Sequence, residues 1–379
     1  MAIKLLIAGD FCPQCRVAGR FEHKDYQFVL SEIKDKLSEI DYSIVNFECP
    51  VVEGGEQPIQ KQGPNLKCSE KGIEAAKWAG FSCLTLANNH FLDYGKEGVS
   101  NTLEACRKYE LDTVGGGLDL TEASKILYKD IKGKMIAIIN CCEHEFSIAT
   151  DNTAGSNPLN PIKQYYAIIE AKKQADYVLV IVHGGHEHFQ LPSPRMQETY
   201  RFFVDAGADA VINHHQHCYS GYEIYNGKPI FYGLGNFCFD EEGATDENWH
   251  EGYMLELSLD TTCIGFVIHP FIQCKTDESV RMMDEKETDT FYRCLSQLNL
   301  IISDESKLKE AHTKWMLDKT SNIIRLLQPY SSRLTKGLYN KKLLPSLLSK
   351  SKVIEVFGTV NCESHIDILR CCLWQYLKI

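Results

Sequence analysis

An α/β fold on a mostly parallel sheet is what this sequence predicts, and two observations predict it. Over roughly the first 270 residues, β-branched apolar runs alternate with helical patterns, as in sheets whose strands are joined by crossover helices. Five of these runs also end on a metal-type ligand. IKLLIAGD delivers Asp10, YSIVNFE delivers Glu48, CLTLANNH delivers Asn89 and His90, YVLVIVH delivers His183, and DAVINHHQH delivers His215 and His217. Buried parallel strands read as near-continuous apolar runs, and open α/β sheets place ligands beyond the carboxyl ends of their strands. One sheet edge is therefore expected to gather these side chains into one crevice.

The remaining elements follow in order. After YSIVNFE comes a polar loop, Val52 to Lys67, then a helix around Lys71 to Ala79 and the strand SCLTLA. An amphipathic helix follows at Glu97 to Tyr109, with Val99, Leu103 and Cys106 on one face. Gly115-Gly116-Gly117 reads as a tight turn, since triple glycine alone is weak evidence of a phosphate cradle. MIAIIN, YVLVIV, DAVIN and PIFYG continue the strand series, with helices at about Asn160 to Ala175 and Ser193 to Ala206 between them. YMLELSL and IGFVIHPF read as later antiparallel strands. From Thr276 the β-branched runs give way to leucine-and-charge stretches, so the expected domains are 1–275 and a helical C-terminal extension, 276–379. That extension is cationic around Lys336 to Lys352. Eight basic residues cluster there when Lys319, Arg325 and Arg333 are counted with Lys336, Lys341, Lys342, Lys350 and Lys352. The bland reading is a solvated helix face, and the sharper one a contact with a membrane surface or an anionic polymer.

A formal charge of -11 over 379 residues argues against a nucleic-acid partner, which needs a basic stripe. The first strand follows Met1 with no room for a signal peptide, and no run is long enough to span a bilayer, so a soluble cytoplasmic chain is expected, with at most peripheral membrane contact. The 16 cysteines are scattered and often sit in apolar contexts, which suits reduced core residues. Cys12-Pro13-Gln14-Cys15 is a CxxC, open to a redox or half-zinc-site reading. No second CxxC completes a zinc ribbon, and a redox role would leave the histidines unexplained.

The ligand types suit two divalent ions of the Mn, Fe or Zn type. Such a pair shares a bridging carboxylate, lowers the pKa of a water and clamps a phosphoryl or acyl oxygen. Glu48 is the natural bridge, Asp10 a terminal ligand of one ion, and His183 with a histidine of His214-His215-Gln216-His217 suits the other. In an extended segment His215 and His217 would face the same way, leaving His214 outside the first sphere. Asn89 offers a neutral oxygen, and His90 is placed to protonate a leaving group. Asp93 and Glu187 are expected to orient first-sphere histidines, and Asn236 to help close the pocket or form a turn. Arg16 and Lys67 are candidates for binding an anionic substrate.

NFECP, ANNHFLDYGKEGVSNTLE, HGGHE, GADAVINHHQH and YGLGNF together resemble, in order and spacing, the CapA capsule-synthesis family, related to the calcineurin-like metallophosphoesterases. The resemblance covers residues 3 to 270. It implies a metallophosphoesterase-like α/β/β/α sandwich and a role in making or attaching an anionic capsular polymer such as poly-γ-glutamate. It supports Asp10, Glu48, Asn89, His183, His215 and His217 as ligands and His90 as general acid, in a dinuclear hydrolase or transferase. Two alternatives stand beside it: a non-catalytic metal-dependent scaffold for the polymer, and a phosphoesterase for nucleotides or phosphodiesters. The sequence departs from the wider pattern at three places. Cys12 stands where Asp-x-His has its histidine, Glu48 where the bridging Asp is usual, and His214 where a glycine precedes the last histidine pair.

Overall fold

The structure, a computed structural model, describes residues 2–241, 243–244, 246–260, 264–361, 369 and 373, with backbone alone for 321–326 and 361. Of the residues singled out above, the Arg325 side chain lies outside the described residues, as do the remaining residues beyond 361.

Two sheets pack face to face. The larger runs, edge to edge, through Val280–Met282, Ile264–Gln273, Glu251–Leu259, Ile3–Cys12, Tyr42–Phe47, Cys83–Thr85 and Asp112–Val114, while Asn236–Phe239 pairs with the end of Ile3–Cys12. The smaller runs Tyr222–Tyr225, Lys228–Phe231, Ala210–His214, Tyr177–His183, Lys134–Cys142, Leu127–Ile131. Strand alternation builds the layers. Leu5 and Ile7 of the first strand join Ile138, Ile181 and Ile212 of the other sheet between the two, while Leu6 and Ala8 face the opposite way, toward helices that carry Val17, Ile33 and Ile73. The outer face of the smaller sheet is covered by Pro161–Gln174 and Pro194–Asp205 through Ile168, Met196 and Phe203. The central strands Ile3–Cys12, Tyr42–Phe47, Tyr177–His183 and Ala210–His214 are thus covered on both sides, which is why their sequences are near-continuous apolar runs. Each fully buried side chain of this kind stabilises by about 1.5–3 kcal/mol. The result is the α/β/β/α sandwich expected, with helices added at the C-terminus.

Register then fixes where the strand ends fall. Asp10 pairs with Asn46, and His183 lies beside both Cys142 and His214, so the ligand-bearing ends align along one edge. The first strand is irregular between Ala8 and Asp10, at Gly9. A Cβ built on Gly9 would lie 1.9 Å from the Gly235 carbonyl oxygen, so only glycine lets the YGLGNF segment approach, and Asp10 N–H donates to that carbonyl at 3.2 Å.

By internal packing the chain forms two units, Met1–His312 and Thr313–Ile379. Beyond residue 275, the edge strand Val280–Met282 and the helix Glu285–Ile302 belong to the first unit. Phe291 is buried with its ring 4.6 Å from Tyr219 and 5.9 Å from Tyr253. Among the described residues no helix is long and apolar enough to cross a membrane.

Candidate metal centre

The aligned strand ends bring carboxylates and imidazoles together in a buried crevice. Asp10 accepts from Asn46 Nδ2 at 2.7 Å and from the His215 backbone N–H at 3.1 Å. Glu48, fully buried, follows Tyr42–Phe47 and donates its own N–H to the Phe11 carbonyl at 3.0 Å. Neither of its carboxylate oxygens has a hydrogen-bond partner among the described residues. His183 Nε2 lies 3.0 Å from Asn89 Oδ1, 3.1 Å from His215 Nδ1 and 3.7 Å from Glu48 Oε1. His217 Nδ1 contacts Asn236 Oδ1 at 2.9 Å, and its Nε2 is 3.7 Å from Glu48 Oε1. Two donor groups result, Glu48 with His183 and His215, and Asp10 with Glu48 and His217. In each, the ligand atoms lie within 4.8 Å of one another.

The electrostatics fit cations. Burial, then the charge of Asp10, pushes the Glu48 carboxyl well above the usual carboxylate range, and burial raises Asp10 despite His217 and Asn46. Burial and the neighbouring imidazoles His215, His214 and His217 hold His183 well below the usual histidine value, and burial pushes His217 down to about 4. Neutral imidazoles keep a lone pair for a metal, while a buried carboxylate without a proton donor lacks only a positive charge. The donor set therefore suits two divalent ions bridged by Glu48.

His214 and its neighbours follow a different geometry from the extended segment expected. His215 and His217 have positive φ, 91° and 56°, so a turn with left-handed residues presents them both to the crevice. Such backbone costs about 1–3 kcal/mol per residue and concentrates at functional sites. His214 closes the strand, with Nδ1 3.6 Å from Asp10 Oδ1 and no hydrogen-bond partner for either ring nitrogen among the described residues. Burial pushes it down to about 3.

Asn88 shapes the next turn by donating to Phe47 O at 2.8 Å and accepting from His90 N–H at 3.1 Å. His90 Nδ1 lies 2.7 Å from Asp93 Oδ2, so Asp93 engages His90 and not one of the donor-group histidines His183, His215 and His217. Three residues not singled out in the sequence also join the site. Lys61, from the long polar loop, ion-pairs with Asp93 and lies 3.0 Å from His90 Nδ1. Asn46 contacts both Asp10 and His183, the latter at 3.2 Å. Glu145 accepts from Asn89 Nδ2 at 3.3 Å and lies 3.8 Å from His215 Nε2. Asn46 had a readable signal, since it sits two residues before Glu48 on the same strand run.

Other candidates take no place in the donor groups. Glu187 is exposed and makes no hydrogen bond or ion pair among the described residues, so it orients no histidine here. Arg16 is committed to Asp240, at 2.6–3.2 Å through Nε and one terminal nitrogen, and to the Cys274 carbonyl at 3.0 Å. Lys67 is exposed, with Nζ 5.6 Å from the Tyr94 ring centre. Cys12 belongs to neither donor group. The irregularity after Asp10 turns it into the helix-side core, where burial pushes its thiol pKa up beside Cys49.

Residues 4–241 match the family described as bacterial capsule synthesis protein PGA_cap. Capsule biosynthesis protein CapA of Bacillus anthracis is 36% identical over 247 residues, covering 63% of this chain and 60% of that protein. PGA biosynthesis protein CapA of Bacillus subtilis (strain 168) is 35% identical over 223 residues, covering 58% and 59%. The chain thus spans about three-fifths of the length of these curated relatives. Among solved structures, a phosphatase from Mycoplasma pneumoniae is similar at 17% identity and a TM-score of 0.45, over 78% of this chain and 99% of that one. A hypothetical protein from Thermus thermophilus is similar at 15% identity and a TM-score of 0.44, over 74% and 100%. Neither structural likeness bears on activity.

Proposed function

We propose, from the premise that this chain belongs to the bacterial capsule synthesis protein PGA_cap family, that its crevice holds two divalent ions and performs hydrolysis or transfer on an anionic polymer of the poly-γ-glutamate type. Glu48 carries this reading. A fully buried carboxylate with no hydrogen-bond partner on either oxygen among the described residues, shared by two donor groups, is costly unless cations meet it. Asp10, Glu48 and His217 would hold one ion, and Glu48, Asn89, His183 and His215 the other. When bound, such ions supply Lewis-acid charge and make water a nucleophile at neutral pH.

The chain's own residues do the rest. His183 and His217, kept neutral by burial, offer lone pairs, and Asn46 steadies Asp10 and the His183 ring. Asp93 engages His90 at Nδ1, which leaves Nε2 to give a leaving group its proton. Lys61 sets a positive charge against Asp93 and closes that cluster from the loop side.

A second reading, a non-catalytic scaffold that docks polymer carboxylates on the ions, is favoured by one observation. With Cys12 turned to the core, the donor group around Asp10 has three residues. Metal analysis of the purified protein, with a screen of γ-glutamyl, phosphomonoester and phosphodiester substrates, tests the choice. Metal-dependent cleavage at γ-glutamyl bonds supports the enzyme, and bound metal without turnover of any class leaves the scaffold. Turnover of nucleotides or phosphodiesters alone would replace the substrate.

A further inference from the structure

The second unit, Thr313–Ile379, exposes several large apolar side chains among its described residues. Its inward contacts include polar ones beside the Tyr330–Tyr339 ring pair, 5.4 Å apart. Buried Gln328 donates to Tyr339 Oη at 3.2 Å and to Ser346 Oγ at 2.7 Å, and its carbonyl accepts from Leu347 N–H at 2.9 Å. Tyr330 Oη donates to Pro345 O at 2.6 Å, which folds the segment after the helix Arg333–Asn340 back on itself. Several of its apolar side chains point out. Leu334 is 72% exposed, Leu343 67%, Leu347 59%, and on the helix Lys350–Asn361 Ile354 is 62% and Phe357 63% exposed.

Charge accompanies these apolar groups. Between residues 333 and 361 there are six cationic residues and one acidic residue, Glu355, in a chain of formal charge -11. Lys352 pairs with Glu355 at 3.1 Å. Arg333, Lys336, Lys341, Lys342 and Lys350 form no salt bridge among the described residues.

We propose that the segment from Arg333 to Asn361 binds the surface of an anionic phospholipid bilayer, with the exposed leucines, Ile354 and Phe357 entering the interface and the lysines meeting the headgroups. A bilayer fits better than a free polyanion, because a soluble polymer of carboxylates neutralises lysines but offers no apolar phase to leucine. It fits better than a second copy of the chain, because two such segments would bring together the five cations that form no salt bridge among the described residues. Attraction of this kind acts within a Debye length, about 8 Å at 0.15 M salt, so it is expected to weaken as salt rises.

Co-sedimentation of the full chain with vesicles tests the proposal. Binding is expected to vesicles of phosphatidylcholine mixed with phosphatidylglycerol, to fall with salt, and to be absent with phosphatidylcholine alone. Each lysine near such a surface contributes about five-fold in affinity, so a combined Lys336→Gln, Lys341→Gln, Lys342→Gln variant should bind on the order of 100-fold more weakly. The matching triple replacement by arginine should bind as the native chain does, and Leu343→Asn with Leu347→Asn should release the protein at unchanged charge. These side chains are exposed, so the substitutions spare the fold. Equal binding to both vesicle types, no binding to either, native-like binding by the glutamine variant, or a dimer that ignores vesicles would overturn the proposal. So would capture by soluble poly-γ-glutamate without capture by vesicles. Glu48→Ala should bind vesicles normally, which separates this surface from the function proposed for the crevice.

Discussion

His183 and His217 each place Nε2 3.7 Å from one oxygen, Oε1 of Glu48. Ligand bonds of about 2.0–2.2 Å allow two donors on one ion to sit roughly 3–4 Å apart, so each imidazole can share a different ion with that carboxylate. Glu48→Ala is accordingly expected to lose both ions, read as metal per chain by elemental analysis of protein purified without chelator. A variant that retains two ions would show that Glu48 is not the bridge.

His90 stands outside both donor groups, so His90→Ala should leave metal content unchanged while turnover falls roughly 10²–10⁴-fold, the usual contribution of a general acid. Normal polymer function in cells with normal metal content would exclude the enzyme and leave the scaffold.

The Lys61 side chain is 3% exposed and that of its partner Asp93 is fully buried. Removing one member of such a pair strands the other charge, so Lys61→Met should destabilise by about 3–5 kcal/mol in denaturant titration. Asp93→Asn added to it should recover part of that loss. Strict additivity of the two substitutions would mean that the pair is not coupled.

The ends of the strands were legible because a strand announces itself locally, through its apolar run and through the polar residue that stops it. Glu48, Asn89, His183, His215 and His217 close or follow a strand, Asp10 lies two residues before the end of Ile3–Cys12, and parallel register aligns these positions on one edge. What depends on tertiary placement was not legible. Lys61 reads as one more lysine in a polar loop until the fold brings that loop over Asp93. The partner of Arg16 lies 224 residues away, so its cationic charge suggested a substrate where the structure supplies Asp240. For Glu187, closeness in sequence misled, because Gly185 at φ 108° turns the chain after His183 and leaves Glu187 in solvent.

Glu287 offers a pH test remote from the crevice. It completes a capping box with Asp284 and pairs through both oxygens with Arg281, each at 2.7 Å, tying the helix Glu285–Ile302 to the edge strand. The hydrogen bonds from Arg281, then the Asp284 backbone, push its pKa down to about 2. A depressed carboxylate contributes stability that is present above its unfolded value, near 4.5, and is lost as pH falls through about 2. The melting-temperature deficit of Glu287→Gln should therefore be full near neutral pH and shrink steadily below pH about 4.5. A deficit independent of pH would assign the effect to the cap geometry alone.

Ending the chain at residue 275 separates two properties. All the proposed ligands precede that point, so we expect the shortened protein to bind metal as the full chain does when both are folded. It loses Phe291, however, and with it the cover over Tyr219 and Tyr253 between the sheets and the helix Glu285–Ile302. Deleting a buried phenylalanine side chain alone costs about 3–5 kcal/mol, and here an entire helix face goes with it. The shortened chain should thus melt well below the full one, whereas a chain ended at His312, where the first unit closes, should melt close to it. Differential scanning calorimetry with metal analysis on both chains decides the matter. Equal melting of the 275-residue and full chains would make the helices after Thr276 an independent appendage, and loss of metal from a folded 275-residue chain would place a ligand among them.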